Sequence, residues 1–212
     1  MDEMNVVLYI CFLIPMFFSL FIMENKSRLV VGYILIGTTV SLIINYVNTC
    51  IFNVLDIDIL YFCTMISPVT EELIKALPIL FYALFISNNR QKLVQSSFAV
   101  GLGFAIMENM IMLTQSASGI DIEWAILRGL GAGLMHSICT VSIGIGLSYV
   151  RKIRKLFYCC MISLVISAIT YHSIYNLLVM SKYKYFGIVL PICTYIPILI
   201  VNFTRKNKNS EN

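Results

Sequence analysis

The sequence predicts an all-α, polytopic transmembrane bundle. Three observations carry that reading: 59% of the 212 residues are hydrophobic, only 12% are charged, and the mean hydropathy is +0.86. An ordinary soluble domain is about 45–50% apolar and about 25% charged. So few charges could not cover the surface of a soluble domain of this size. A soluble enzyme, a nucleic-acid-binding module and a disordered tail are excluded together. The lipid bilayer is the medium, and no nucleic acid is expected as a partner.

A spanning helix needs about 20 mostly apolar residues. Seven runs meet that length, at about 5–22, 29–51, 60–86, 93–114, 124–149, 156–180 and 186–203. Short polar breaks separate them, such as Asp56 with Asp58, Asn88 to Lys92, and Arg151 to Lys155. Residues 1–212 therefore read as one integral membrane domain, ending in a short basic tail over 204–212. Met1-Asp2-Glu3 lacks the basic start of a signal peptide, so the first run is expected to remain as a helix. Within the third run, Ser67-Pro68 has the form of an N-cap followed by proline at the first helical position. The third helix can thus begin near 68, with 52–66 as a kinked or re-entrant lead-in.

Orientation follows from the basic residues. With the amino terminus outside, positions 26, 28, 90, 92, 151, 152, 154, 155, 205, 206 and 208 fall on the cytoplasmic side. Only Lys182 and Lys184 fall outside, while Lys75 and Arg128 lie within or at the edge of spans. The expected topology is N-out, C-in. The seven cysteines form no CxxC and lie in apolar runs, as small hydrophobes.

Ionisable groups inside the spans carry the functional signal. They are Glu71, Glu72 and Lys75 in the third run, Glu108 with Asn109 in the fourth, Arg128 and His136 in the fifth, and His172 with Asn176 in the sixth. Each charge at mid-helix costs about 2.5–3.5 kcal/mol, so the set costs on the order of 10 kcal/mol before any pairing. Spacing places several on shared faces: Lys75 lies four residues after Glu71 and three after Glu72, and His172/Asn176 and Phe104/Glu108 are each four apart. At 1.5 Å per residue, Glu71, Glu72, Glu108, His136 and His172 all fall about 9–18 Å from the outer ends of their helices. One hydrated cavity in the outer half of the membrane, among the third to sixth helices, accounts for that common depth. Glycines at 101, 103, 129, 131, 133, 144 and 146 suit close helix approach around it.

Two adjacent carboxylates beside a lysine and two histidines suit the activation of water. A histidine and an asparagine one turn apart suit stabilisation of an oxyanion. That combination describes amide hydrolysis without a covalent intermediate. A divalent metal such as zinc, held by Glu108, His136 and His172, is the other chemical option, although no HExxH strengthens it. Two non-proteolytic readings stand beside hydrolysis. A proton-coupled transporter would use the same buried groups as a relay, but the two halves show no inverted repeat. A non-catalytic membrane partner would use them only for helix association.

The motifs resemble those of the PrsW family of intramembrane proteases, within the wider CAAX-protease and bacteriocin-processing group. Pro68 through Glu71-Glu72 to Lys75 is similar to that family's proline followed by EExxK. Phe104 to Glu108 resembles its FxxxE, His136 lies where a third motif carries histidine, and His172 to Asn176 resembles its HxxxN. Lys75 at its short spacing, and Glu108 in place of histidine, depart from the CAAX pattern toward PrsW. The motif core runs from 67 to 176. The resemblance implies a multi-pass protease of the bacterial plasma membrane that makes the first cut, on the outer side, in a membrane-anchored anti-sigma factor during a stress response. It implies catalytic roles for Glu71, Glu72, Glu108 and His172, orienting or stabilising roles for His136 and Asn176, and supporting roles for Lys75, Phe104, Asn109 and Arg128. Whether the chemistry is glutamic or metal-dependent stays open at this point.

Overall fold

The computed structural model describes residues 3–86, 89–115, 121–150 and 153–210. Among them there is no strand, and the seven apolar runs are all helical. The first is α1 (Glu3–Ile22) and the second α2 (Asn25–Leu55). The third run is composite: α3 (Ile59–Tyr61), a π-helical turn (Phe62–Ile66), α4 (Ser67–Phe81) and a second π-turn (Tyr82–Ile86). Then come α5 (Arg90–Gln115), α6 (Ile122–Ile126), a third π-turn (Leu127–Ala132), α7 (Gly133–Val150), α8 (Arg154–Val179) and α9 (Phe186–Ser210).

Four of these helical stretches, Ser27–Leu55, Arg90–Gln115, Ile122–Val150 and Lys155–Val179, are long and apolar enough to cross a membrane, and Tyr9–Phe21 and Phe186–Pro197 are shorter apolar helices. The chain is a multi-pass membrane protein. Its outward surface agrees, since Leu73, Leu77 and Phe81 form an exposed i, i+4, i+8 stripe on α4 while Glu72, Lys75, Ala76 and Ile79 face inward. A stripe of that kind suits lipid and not water.

The lead-in to α4 differs in detail from the expected N-cap. Asp56 adopts a left-handed conformation (φ 47°) that ends α2, and the Asp58 carboxylate accepts from the Leu60 and Tyr61 amides to start α3. Ser67 has helical backbone angles (φ −54°, ψ −45°), and its hydroxyl donates to Glu71 and not to a backbone group. The reason is that the π-turn before it keeps the chain helical, so α4 has no free first turn for a cap to satisfy.

The buried side of helix α4 packs against α2, α5, α7 and α8. An apolar core including Ile79, Tyr82, Leu93, Val100, Met135, Ile143 and Leu147 fills the bundle on one side of the polar residues. Close approach of α5 to α7 depends on Gly101, where a Cβ would lie 2.6 Å from the His136 carbonyl oxygen and 2.7 Å from Ser137 Cα. Gly103 performs the same service toward α2, where a Cβ would meet the Ile34 carbonyl oxygen at 2.1 Å. Tight packing on both sides thus fixes the helix that carries Phe104 and Glu108.

Candidate active site

Four helices and two π-turns bring the polar residues together. Glu72 (α4) is fully buried, and its Oε1 accepts from Lys75 Nζ at 2.6 Å and from His172 Nδ1 (α8) at 2.8 Å. Lys75 Nζ is also 2.8 Å from His136 Nδ1 (α7), and it lies 4.3 Å from the centroid of the Phe104 ring (α5). An ammonium can only donate, so His136 Nδ1 accepts and its proton is on Nε2. That Nε2–H reaches Glu108 Oε2 at 2.8 Å. By the same logic a carboxylate can only accept, so His172 carries its proton on Nδ1 and keeps a lone pair on Nε2. The two imidazoles meet edge to face, with centroids 4.9 Å apart.

Arg128 extends this network from Glu108. It makes an ion pair with Glu108 Oε2 at 3.0 Å, and its Nε donates to Asn109 Oδ1 at 3.0 Å. Arg128 and His136 therefore converge on one oxygen although eight residues separate them. In a regular α-helix that spacing leaves them about 80° apart around the axis. The π-turn over Leu127–Ala132 advances fewer degrees per residue, and so removes most of that offset.

Asn176 does not face the carboxylates. Its Nδ2 donates to the backbone carbonyl of Cys63 at 2.9 Å. Continuation of the π-turn would offer that carbonyl the amide of residue 68, but Pro68 has no N–H. The proline thus frees an acceptor, and the asparagine from α8 satisfies it. One hydrogen bond ties the last motif to the π-turn that leads into the first, and so sets the start of α4 against α8.

Glu71 occupies a different environment from Glu72. Its Oε1 accepts from Ser67 Oγ at 2.5 Å, and Ser67 in turn accepts from Asn48 Nδ2 (α2) at 2.9 Å. Asn48 Oδ1 accepts from Thr70 at 2.5 Å. Glu71 Oε2 is buried without a hydrogen-bond partner among the described residues, and it lies 3.8 Å from His172 Nε2. Glu71 and Glu108 both line an open cavity of about 240 Å³ between α2, the α3 segment, α4 and α5, together with Asn48, Phe62, Phe104 and Ile111. Glu72 is not on that wall.

The metal set read from the sequence was Glu108, His136 and His172. Among the described residues, the group whose ligand atoms lie within 4.8 Å of one another is Glu71, His136 and His172. Glu108 is committed to Arg128 and His136, and Glu71 takes its place because its free oxygen is the one that faces His172. Two carboxylate oxygens, on Glu71 and Glu72, are buried without partners, and burying such atoms is costly unless something satisfies them. A two-histidine, one-carboxylate set beside an orphaned oxygen fits a divalent cation. His136 joins the set only by giving up one of its two present hydrogen bonds.

The sequence reading did not pick out Asn48, Thr70 or the Ser67 hydroxyl. Their only signal is polarity in otherwise apolar runs, Asn48 on α2 and Ser67 and Thr70 on α4 beside the paired glutamates.

A family model described as PrsW family intramembrane metalloprotease matches residues 25–202. The chain belongs to the PrsW family. Searches of curated proteins and of solved structures return no match. Membership makes the protein an intramembrane protease, and the four PrsW motifs carry the network described above.

Proposed function

We propose that Glu71 and His172 form the hydrolytic centre of this PrsW protease, in a zinc-type site completed by His136. The observation that supports it best is a pair of uncommitted atoms, Glu71 Oε2 and His172 Nε2, facing each other across 3.8 Å beside an open cavity. Glu72 holds the Nδ1 proton of His172, which fixes the tautomer and aims the Nε2 lone pair. Ser67 holds one oxygen of Glu71 and leaves the other, Oε2, facing the position where a cation would sit beside His172 Nε2. Lys75 offsets the charge of Glu72, and Arg128 that of Glu108. Glu71, His136 and His172 would hold the divalent cation. When bound, such a cation makes water more acidic and polarises the scissile carbonyl.

The substrate we propose is a membrane-anchored protein, specifically a transmembrane anti-sigma factor cut near the outer face of a bacterial plasma membrane. The motif resemblance supports the substrate class. The outer-side position supports the rest: with N-out, C-in topology, the cavity is bounded by the outer ends of α2 and α3.

The test compares extracellular and membrane peptides from cells carrying wild-type protein or Glu71→Gln at matched expression, then repeats the wild type with 1,10-phenanthroline and with added zinc. One single-pass protein should lose an external cut in the variant and under chelation, and zinc should restore it. An external cut that survives chelation but not Glu71→Gln would replace the metal with a glutamate acting alone. No changed peptide under envelope stress, with flux through protein-only liposomes, would favour a transporter.

A further inference from the structure

Cutting a peptide bond inside a membrane poses a problem that the catalytic residues do not solve. A helical peptide bond has its N–H and C=O engaged, and a protease must reach it unwound. An unwound amide in an apolar setting costs several kcal/mol per unsatisfied group. The enzyme therefore has to offer hydrogen-bonding partners where the substrate opens.

The cavity beside Glu71 is walled largely by Ile44, Phe52, Phe62, Phe104, Ile111 and Met112, which offer no such partner through their side chains. Helix α2 contributes a polar stripe to it: Ser41, Asn45, Asn48 and Thr49, at i, i+4, i+7 and i+8. Two members are spent inside the protein. Asn48 is bonded at both ends of its carboxamide, to Ser67 and Thr70, and the Thr49 hydroxyl donates to the Asn45 backbone carbonyl at 2.7 Å. The Asn45 carboxamide makes no hydrogen bond to the described residues, although it is partly buried at the same wall. It lies about one turn of helix from Asn48, which is linked through Ser67 to Glu71. A carboxamide offers one acceptor and two donors, the complement of a peptide group.

We infer that the Asn45 carboxamide is a main-chain docking site, accepting an N–H and donating to a C=O of a substrate segment that is locally unwound beside Glu71. The ligand class is an extended polypeptide stretch and not an intact helix. Recognition at this position reads backbone, so it selects substrates that unwind easily and is tolerant of side-chain identity. The inference rests on the hydrolytic reading of Glu71 for its purpose, but its binding step is separable from the cut.

The test uses full-length protein in nanodiscs with zinc, in a Glu71→Gln background that leaves the peptides intact. The probes are fluorescent Leu/Ala transmembrane peptides: one uniformly helical, one with a Gly-Gly pair in its outer half, and one with an ester replacing the amide at that pair. The Gly-Gly peptide should bind, and Asn45→Leu should weaken it about 100-fold, the loss of roughly two hydrogen bonds. The ester, which lacks the N–H, should bind about tenfold more weakly than the amide to protein with Asn45 intact, and as well as the amide to Asn45→Leu. The uniformly helical peptide should be indifferent to the substitution. Asn45→Gln, which keeps the carboxamide but moves it by one methylene, supplies the same comparison should Asn45→Leu fail to fold. Unchanged affinity in the variant, effects that multiply with the ester, or no binding of the Gly-Gly peptide would each overturn the inference. Coupled binding without cleavage by the Glu71 enzyme would leave the docking site standing and remove the hydrolytic reading.

Discussion

At the residue scale, two neighbouring glutamates hold different positions because 100° of helix separates them. Glu72 turns inward to Lys75 and His172, and Glu71 turns to the cavity. Removing the charge of Glu72 leaves the buried Lys75 ammonium without its counter-ion, which costs about 3–5 kcal/mol in comparable buried pairs. Glu72→Gln should accordingly lower the thermal midpoint in detergent, and adding Lys75→Met should recover the midpoint without recovering activity. Asn176 supports a second prediction. Asn176→Ala should reduce cleavage about 10- to 100-fold by releasing the Cys63 carbonyl and letting α4 shift. Pro68→Ala supplies that carbonyl with an N–H, so the double variant should lose less than the two single losses combined. A cycle of four activity measurements checks it, and simple additivity would refute the link.

At the scale of elements, the π-turns explain both what the sequence made legible and what it concealed. Apolar runs showed the helices, and the costly charges inside them marked the polar residues that the structure brings together. Periodicity could not show that Arg128 and His136 share a face, because that depends on a π-turn that no residue pattern announces. It placed Asn176 near the chemistry, but its partner is a backbone carbonyl freed by a proline 108 positions away in the chain. Asn48 was hidden for a simpler reason: a single asparagine in a hydrophobic helix gives no hint of which neighbour it meets. Glycine positions were legible as packing sites, and Gly101 yields a test of how far packing governs the site. Its missing Cβ lets α7 approach within contact of α5 below His136. Gly101→Val should push α7 outward and reduce cleavage about 100-fold, while circular dichroism shows helix content unchanged. Full activity in that variant would show that the helix spacing is not what positions His136.

At the scale of the whole molecule, hydropathy defines a bundle whose outward stripes face lipid and which encloses a polar cavity between its helices. Membership of the PrsW family agrees with the motif resemblance over most of the chain. Orientation is a proposal from the positive charges alone. Fluorescence of a carboxy-terminal green fluorescent protein, with an inactive alkaline phosphatase fusion at the same site, is the expected outcome for a cytoplasmic tail. The reverse pattern would move the cavity to the inner face and, with it, the proposed cut.

The most direct test of the central claim is a rate measurement with purified protein in liposomes loaded with zinc and the substrate identified in cells. Wild type should cut at one site. Glu71→Gln should fall at least about 100-fold with its zinc-free thermal midpoint retained, since Oε2 has no partner among the described residues to lose and glutamine keeps an oxygen for Ser67. Cleavage by Glu71→Gln at the wild-type rate would contradict the account and move the water-activating role to another carboxylate.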